Sequence, residues 1–354
     1  MSKLAPNQVP HVSVVMPAYN AGAYLLDAVA SIVEQSYSNW ELVVVNDGST
    51  DGTSEMLNWF AKQDSRIRVI HQANSGIVAA LNHACQEAKA PLLMRMDCDD
   101  IALPNRMTEQ VAVMHSNEDC VVVGGGILEF DCDGDPLCFN RLAQEHDEIV
   151  SALLQRRTGH FHPTTMIRAE AFHAVGGYRP QYEWVEDHDL WLRISELGEL
   201  RNVPDIVLCY RQHSKSVCWS RAQTQRELMN QLLAESYERR GMKMPPALIH
   251  NTDVRRSDAG PGKWARAAAK GGFCSTVWKQ LGQLNRSDAS LGYKLRMNLE
   301  ATSRCALNLL KRFAGKTSES ANAASGQSQS GSIIPRFPDW NQRWKQFSGA
   351  RAAA

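Results

Sequence analysis

Pro91-Leu92-Leu93-Met94-Arg95-Met96-Asp97-Cys98-Asp99-Asp100 is a short, largely apolar run delivered straight into three carboxylates. A run of that length bounded by turn residues reads as a buried strand. The pattern of strand, then polar turn, occurs twice upstream. Val12–Met16 closes at Pro17 and leads into Ala18-Tyr19-Asn20, and Leu42–Val45 leads into Asn46-Asp47-Gly48-Ser49. Between them Leu25, Leu26, Val29, Ile32 and Val33 repeat at helical spacing, and a capped polar helix starts near Thr53. Ile67–Ile70 is a third strand and Ile77 to Ala88 a third helix. Alternating strands and helices, with strands apolar throughout, predict an α/β fold: a mostly parallel sheet with helices on both faces. Ligands of such sheets sit beyond the carboxyl ends of the strands, so the three polar turns are expected to meet at one edge.

From about Pro104 the pattern changes. The expected elements are a helix (Asn105–His115), a strand (Val121–Val123), a glycine run, and a hairpin over Glu129–Phe139 turning at Asp133-Gly134. Thr164–Arg168, the turn Gly176-Gly177-Tyr178, the stretch Trp184–Leu197 and a last strand Val203–Tyr210 follow. Beyond Ser220 the chain reads as helical and basic. Residues 317–332, rich in Ser, Ala, Gly, Asn and Gln, read as a flexible linker.

The net charge of zero hides a division. From Arg255 onward there are 17 Lys and Arg against 5 Asp and Glu, and the residues before hold 21 against 33. An acidic front suits cation-dependent chemistry, and a basic rear suits an anionic surface. The nine cysteines form no CxxC pair, and Met1–Pro10 lacks a signal-peptide pattern. A disulfide scaffold is therefore not expected, and a cytoplasmic location is. No run reaches the ~20 apolar residues that span a bilayer.

Asp97, Asp99 and Asp100 lie within four positions, so their repulsion calls for a positive partner. Hard oxygen ligands in a small set suit Mg²⁺ or Mn²⁺; an acidic turn or helix cap is the alternative. Asp47 either belongs to an ordinary Asn-Asp-Gly turn or accepts a hydrogen bond from a nucleotide base or ribose. Asn74, Ser75 and Gly76 precede a helix whose first amides suit a diphosphate, or they are a plain helix start. Glu186-Asp187-His188-Asp189 opens a helix. Asp187 there is either a macrodipole partner or a half-buried general base. His160 and His162 share a face if they lie in a strand, though no third ligand accompanies them. Arg211, His213 and Lys215 follow the last strand and suit a cation or pyrophosphate.

These pieces, in this order, resemble the family-2 glycosyltransferases of the GT-A fold. The resemblance rests on Val12–Asn20, Val44–Asp51, Asn74-Ser75-Gly76, Met96–Asp100, Gly176-Gly177-Tyr178 and Glu186–Arg193, and covers about residues 10–215. It implies a nucleotide-sugar donor, most often a UDP-sugar, and inversion at the anomeric carbon. It also implies a nucleotide pocket from Pro17, Ala18, Tyr19, Asn20, Asp47, Asn74 and Gly76, with Asp97 toward the ribose. Asp99, with His213, is the implied metal site, and Asp187, beside Glu186, the implied catalytic base. On this reading residues 1–103 bind the donor and 104–220 bind the acceptor. Residues 221–316 are a basic helical extension, and 317–354 a linker and tail.

The Gln-x-x-Arg-Trp motif of processive members is missing, so one sugar per encounter is expected, added to a glycan or lipid-linked acceptor. A sugar-nucleotide nucleotidyltransferase and a non-catalytic sugar-binding module are the alternatives. A basic amphipathic helix over Tyr293–Lys316, and a tail with Trp340 and Trp344, raise peripheral contact with an anionic membrane; a helix packed on the catalytic domain is the other reading.

Overall fold

A computed structural model describes residues 9–213, 222–249 and 260–313, with parts of 334–346. Lys215, the linker expected at 317–332, and Trp344 lie outside the described residues. The first half alternates as expected: β1 (Val12–Ala18), α1 (Tyr24–Val33), β2 (Trp40–Asp47), α2 (Thr53–Gln63), β3 (Ile67–Gln72), α3 (Ile77–Glu87) and β4 (Leu92–Arg95). Then come β5 (Ile101–Ala102), α4 (Arg106–Ser116), β6 (Cys120–Asp131), β7 (Pro136–Asn140), α5 (His146–Leu154), β8 (Met166–Arg168), α6 (Ala169–Ala174), α7 (Glu186–Ile194) and β9 (Glu199–Gln212). The last helices are α8 (Ala222–Arg239), α9 (Pro246–Ile249), α10 (Pro261–Gly271), α11 (Cys274–Arg286) and α12 (Leu291–Phe313).

One sheet runs β3-β2-β1-β4-β8-β6-β9-β5, with β7 also on β6. The pairs β1·β2, β2·β3, β1·β4 and β6·β9 are parallel, while β8 enters antiparallel between β4 and β6. Side chains alternate across a strand, so a run apolar at every position must be covered twice. Val12, Val14, Met16, Leu42 and Val44 pack under α1, α2 and α4 through Leu25, Ile32, Phe60 and Met107. Val15, Val43 and Val45 pack on the other face with Leu81, Phe172, Leu190 and Trp191.

The glycine run does not end a strand. Gly124, Gly125 and Gly126 lie within the 12-residue β6. A Cβ on Gly124 would stand 2.3 Å from Asn202 Oδ1 and 2.8 Å from His160 Nδ1, and one on Gly125 2.7 Å from a Val207 methyl. Close approach of β9 therefore selects glycine against its poor strand propensity. His160 and His162 are not strand neighbours either, because His162 begins a short 3₁₀ turn, His162–Thr164.

At the C-terminus α10, α11 and α12 pack around Ala265, Ala268, Val277, Leu281, Met297 and Ala301, and meet the sheet at Leu137 of β7. Six described cysteines are unpaired, but Cys274 and Cys305 form a disulfide between α11 and α12, a pairing their spacing did not announce. Trp340 of the tail is 4% exposed. It packs on Trp59 and Phe60, and its indole N–H donates to Glu34 (2.9 Å). Trp340 is thus a core side chain and not the outward contact expected of it.

Gly124→Ala should destabilise the fold by about 1–3 kcal/mol through overpacking against Asn202 and His160. Gly52→Ala, where the added Cβ meets nothing within 4 Å, should stay within about 0.5 kcal/mol. Urea midpoints of the two variants check this.

Candidate active site

The polar turns are stitched into one edge. Asn20, at a positive φ of 48°, accepts from the Thr50 amide (2.8 Å), and its own amide donates to Ser49 Oγ (3.0 Å). Tyr19 is 53% exposed beside this clamp, while Pro17 and Ala18 are buried at the end of β1.

Asp47 is 4% exposed and holds the next turn. Its carboxylate accepts from Gln72 Nε2 (2.7 Å) and from the amides of Ser75 (2.8 Å) and Gly76 (3.0 Å). The residue expected to meet a nucleotide is thus also the anchor of the loop before α3. Gly48 (φ 72°) lets that loop close, since a Cβ there would stand 2.7 Å from the Asn74 amide nitrogen. Asn74 itself is exposed. Gly76 (φ 87°) abuts Glu183, whose Oε1 lies 2.9 Å from where a Cβ would be, so the Asp47 loop reaches the segment leading to Asp187.

At the end of β4 the ligand oxygens of Asp97, Asp99 and Asp100 lie within 4.8 Å of one another. Protein cations and hydrogen-bonding groups surround them. Arg95, 3% exposed, pairs with Asp97. His213 Nε2 is 2.9 Å from Asp99 Oδ2. Asp100 Oδ1 accepts from the Arg211 amide (2.8 Å), and Arg211 Nε donates to the Asp99 carbonyl (2.8 Å). The Arg211 guanidinium is held over Tyr24 and Phe130 at 4.4 and 4.5 Å from the ring centres.

These cations do not balance the cluster. Burial and then Asp99 and Asp97 raise the proton affinity of Asp100 well above the carboxylate range. Burial likewise raises Asp97 against the pull of Arg95. Asp100 Oδ2 is buried and without a partner. Clustered hard oxygens, one of them orphaned, with an imidazole at 2.9 Å, fit a divalent cation.

The other acidic pair sits on α7. Arg193 bonds Asp189 (2.7 Å) and donates to the carbonyls of Val175 (2.7 Å) and Gly177 (2.8 Å), so the Gly176-Gly177-Tyr178 turn and the helix are one unit. Asn82 of α3 clasps Tyr178 through both backbone groups (2.8 and 3.0 Å). Trp184, just ahead of the helix, takes a left-handed φ of 80°, a strained state for a bulky residue, with its carbonyl held by Gln225 of α8 (3.0 Å). Asp187 is half-buried, and its Oδ1 accepts from the His188 amide (2.7 Å). Glu186 is 7% exposed, its Oε2 unpartnered. Burial and then Asp187 push its pKa up to about 7, while Arg95 opposes this.

Arg95 is the residue that sequence reasoning missed. It pairs with Asp97, and its positive charge partly offsets the rise that burial and Asp187 impose on the Glu186 pKa. The available signal was a lone cation in an otherwise apolar strand. His160 and His162 stay out of the cluster. They are bound to Asn202 (2.9 Å) and to the Tyr178 hydroxyl (2.8 Å), and burial lowers the pKa of both, His160 to about 4.

The architecture defines a class: a mostly parallel α/β sheet with a carboxylate cluster at its carboxyl edge and a helix that opens on three acidic residues. A family model described as Glycosyl transferase family 2 matches residues 13–176. EpsE of Bacillus subtilis (strain 168), named as a glycosyltransferase, is 37% identical over 196 residues, covering 54% of this chain and 69% of that protein. The O-antigen biosynthesis glycosyltransferase WbnJ of Escherichia coli is 30% identical over 209 residues, covering 58% of this chain and 81% of WbnJ. Among solved structures, S. aureus TarS 1-349 in complex with UDP-GlcNAc has a TM-score of 0.51 at 15% identity, covering 86% of this chain and 92% of that chain, a likeness of fold. The chain belongs to glycosyl transferase family 2 and is a glycosyltransferase with the GT-A fold.

Folded Glu186 keeps a proton that an unfolded glutamate, titrating near 4.5, has released. Its contribution to stability is therefore full at low pH and is lost as pH rises through about 7. Glu186→Gln should flatten the fall of melting temperature between about pH 5 and pH 8; equal slopes in variant and parent would contradict the assignment.

Proposed function

We propose that the protein is an inverting, non-processive transferase that moves a sugar from a nucleoside diphosphate, in this reading UDP, to a hydroxyl of a glycan or lipid-linked acceptor. The setting is polysaccharide or glycoconjugate synthesis in the cytoplasm. The O-antigen role in the name of WbnJ supports that setting. The observation that carries the reading is the Asp97–Asp99–Asp100 cluster at the sheet edge, its ligand oxygens within 4.8 Å of one another, with His213 at 2.9 Å from Asp99 and Asp100 Oδ2 unpartnered.

In this reading Tyr19, Asn20 and the loop held by Asp47 receive the nucleotide, and Asp97 faces its ribose. Asp99 and His213 would hold Mg²⁺ or Mn²⁺, which neutralises charge on the leaving diphosphate when bound. Arg211, fixed between two rings, adds a cation on the same side. Asp187 takes the proton of the acceptor hydroxyl as its oxygen bonds to the anomeric carbon. The bond from that carbon to the diphosphate oxygen breaks, and its electron pair leaves with the nucleoside diphosphate. Attack from the face opposite the leaving group inverts the anomeric centre. Glu186, buried beside Asp187, holds its own proton up to about pH 7.

Asp187→Asn should cut turnover by about 10²–10⁴-fold while donor binding, read by calorimetry, stays near the parent value. Near-normal turnover would refute the base assignment. Release of pyrophosphate instead of a nucleoside diphosphate would favour nucleotidyl transfer.

A further inference from the structure

Among the described residues, one face of the C-terminal helices is left uncovered. Met297, Ala301 and Cys305 turn α12 toward α10 and α11, each at most 4% exposed. Leu291, Leu295 and Leu299 are 73%, 63% and 70% exposed, and their four-residue spacing places them in one row. Leu307 is 52% exposed, and Trp278 of α11, one turn from Cys274, is 60% exposed. Single exposed leucines need no explanation, but a row of them with a tryptophan on the adjoining helix is a surface asking for a partner.

Charge says which partner. Residues 260–313 carry ten Lys and Arg against only Asp288 and Glu300, and Lys270, Arg286, Arg296 and Arg304 are exposed. Within the chain, residues 314–332 hold no Leu, Ile, Val, Met, Phe, Trp or Tyr to cover the row. Trp340 is already committed to Trp59 and Phe60. A second copy would bring like charge against like charge, which a symmetric interface disfavours. Among the described residues no helix is long and apolar enough to cross a membrane, so any lipid contact made there is a surface contact.

We propose that the Leu291-Leu295-Leu299 face of α12, with Trp278, docks on an anionic lipid surface, its leucines entering the headgroup boundary and the surrounding Lys and Arg meeting lipid phosphates. This deepens the lipid-linked-acceptor reading, on which its purpose rests, by giving the surface that brings the enzyme to such an acceptor. Vesicle binding itself needs neither donor nor acceptor, so the surface and the transferase reading stand or fall apart.

The test pellets the full chain at low salt with phosphatidylcholine vesicles, and with vesicles in which about one lipid in three is phosphatidylglycerol. The protein should sediment with the anionic vesicles alone and be released by raised salt. The double variant Leu295→Glu, Leu299→Glu should lose about tenfold or more of the bound fraction. Both leucines are exposed, so its melting temperature should match the parent, which verifies folding. Equal sedimentation of variant and parent, or no sedimentation of the parent, would overturn the proposal. A parent that light scattering finds dimeric without lipid, with the variant monomeric, would overturn it in favour of a second copy.

Discussion

Three carboxylates at the end of one buried strand repel one another, and much of the surrounding structure answers that repulsion. Arg95 beneath Asp97, the Arg211 amide on Asp100 and His213 against Asp99 come from β4 and from the far end of β9, more than a hundred residues apart. The sheet brings β9 back beside β6, and the Gly124–Gly126 run lets it lie close enough to present Arg211 and His213. Even so, Asp97 and Asp100 keep raised proton affinities. A cluster that holds charge it cannot balance alone fits a divalent cation, as the proposed sugar transfer requires.

The charge division along the chain has a physical counterpart. The acidic β6–β7 hairpin grips the basic helices at one point: Lys279 of α11 reaches Asp131 (3.0 Å), Asp133 (2.8 Å) and Asp135, and Gln280 donates to Asp131 (2.7 Å). Leu137 packs into the helical core beside this contact. The helices are therefore fastened to the β6–β7 hairpin of the sheet.

Much of this was legible beforehand. β1, β2 and α1–α3 announced themselves because a parallel strand buried on both faces is apolar at every position, and the polar turns marked the carboxyl edge. The glycine run misled, since its reason is the approach of Asn202 and Val207 from a strand eighty residues later. His160 and His162 looked like strand neighbours until the chain folded into a 3₁₀ turn between them and β8. The hold of Asp47 on Ser75 and Gly76 and the burial of Trp340 are tertiary facts, and no local spacing encodes them.

The central claim is that the Asp97–Asp99–Asp100 turn serves a cation-borne nucleoside diphosphate. Calorimetric titration of UDP and GDP into the metal-stripped protein, with and without Mn²⁺ or Mg²⁺, in the parent and in Asp99→Asn, tests it most directly. The account predicts binding of one of the two that depends on the cation and is lost in the variant. Equal binding without metal, or unchanged binding by Asp99→Asn, would contradict it.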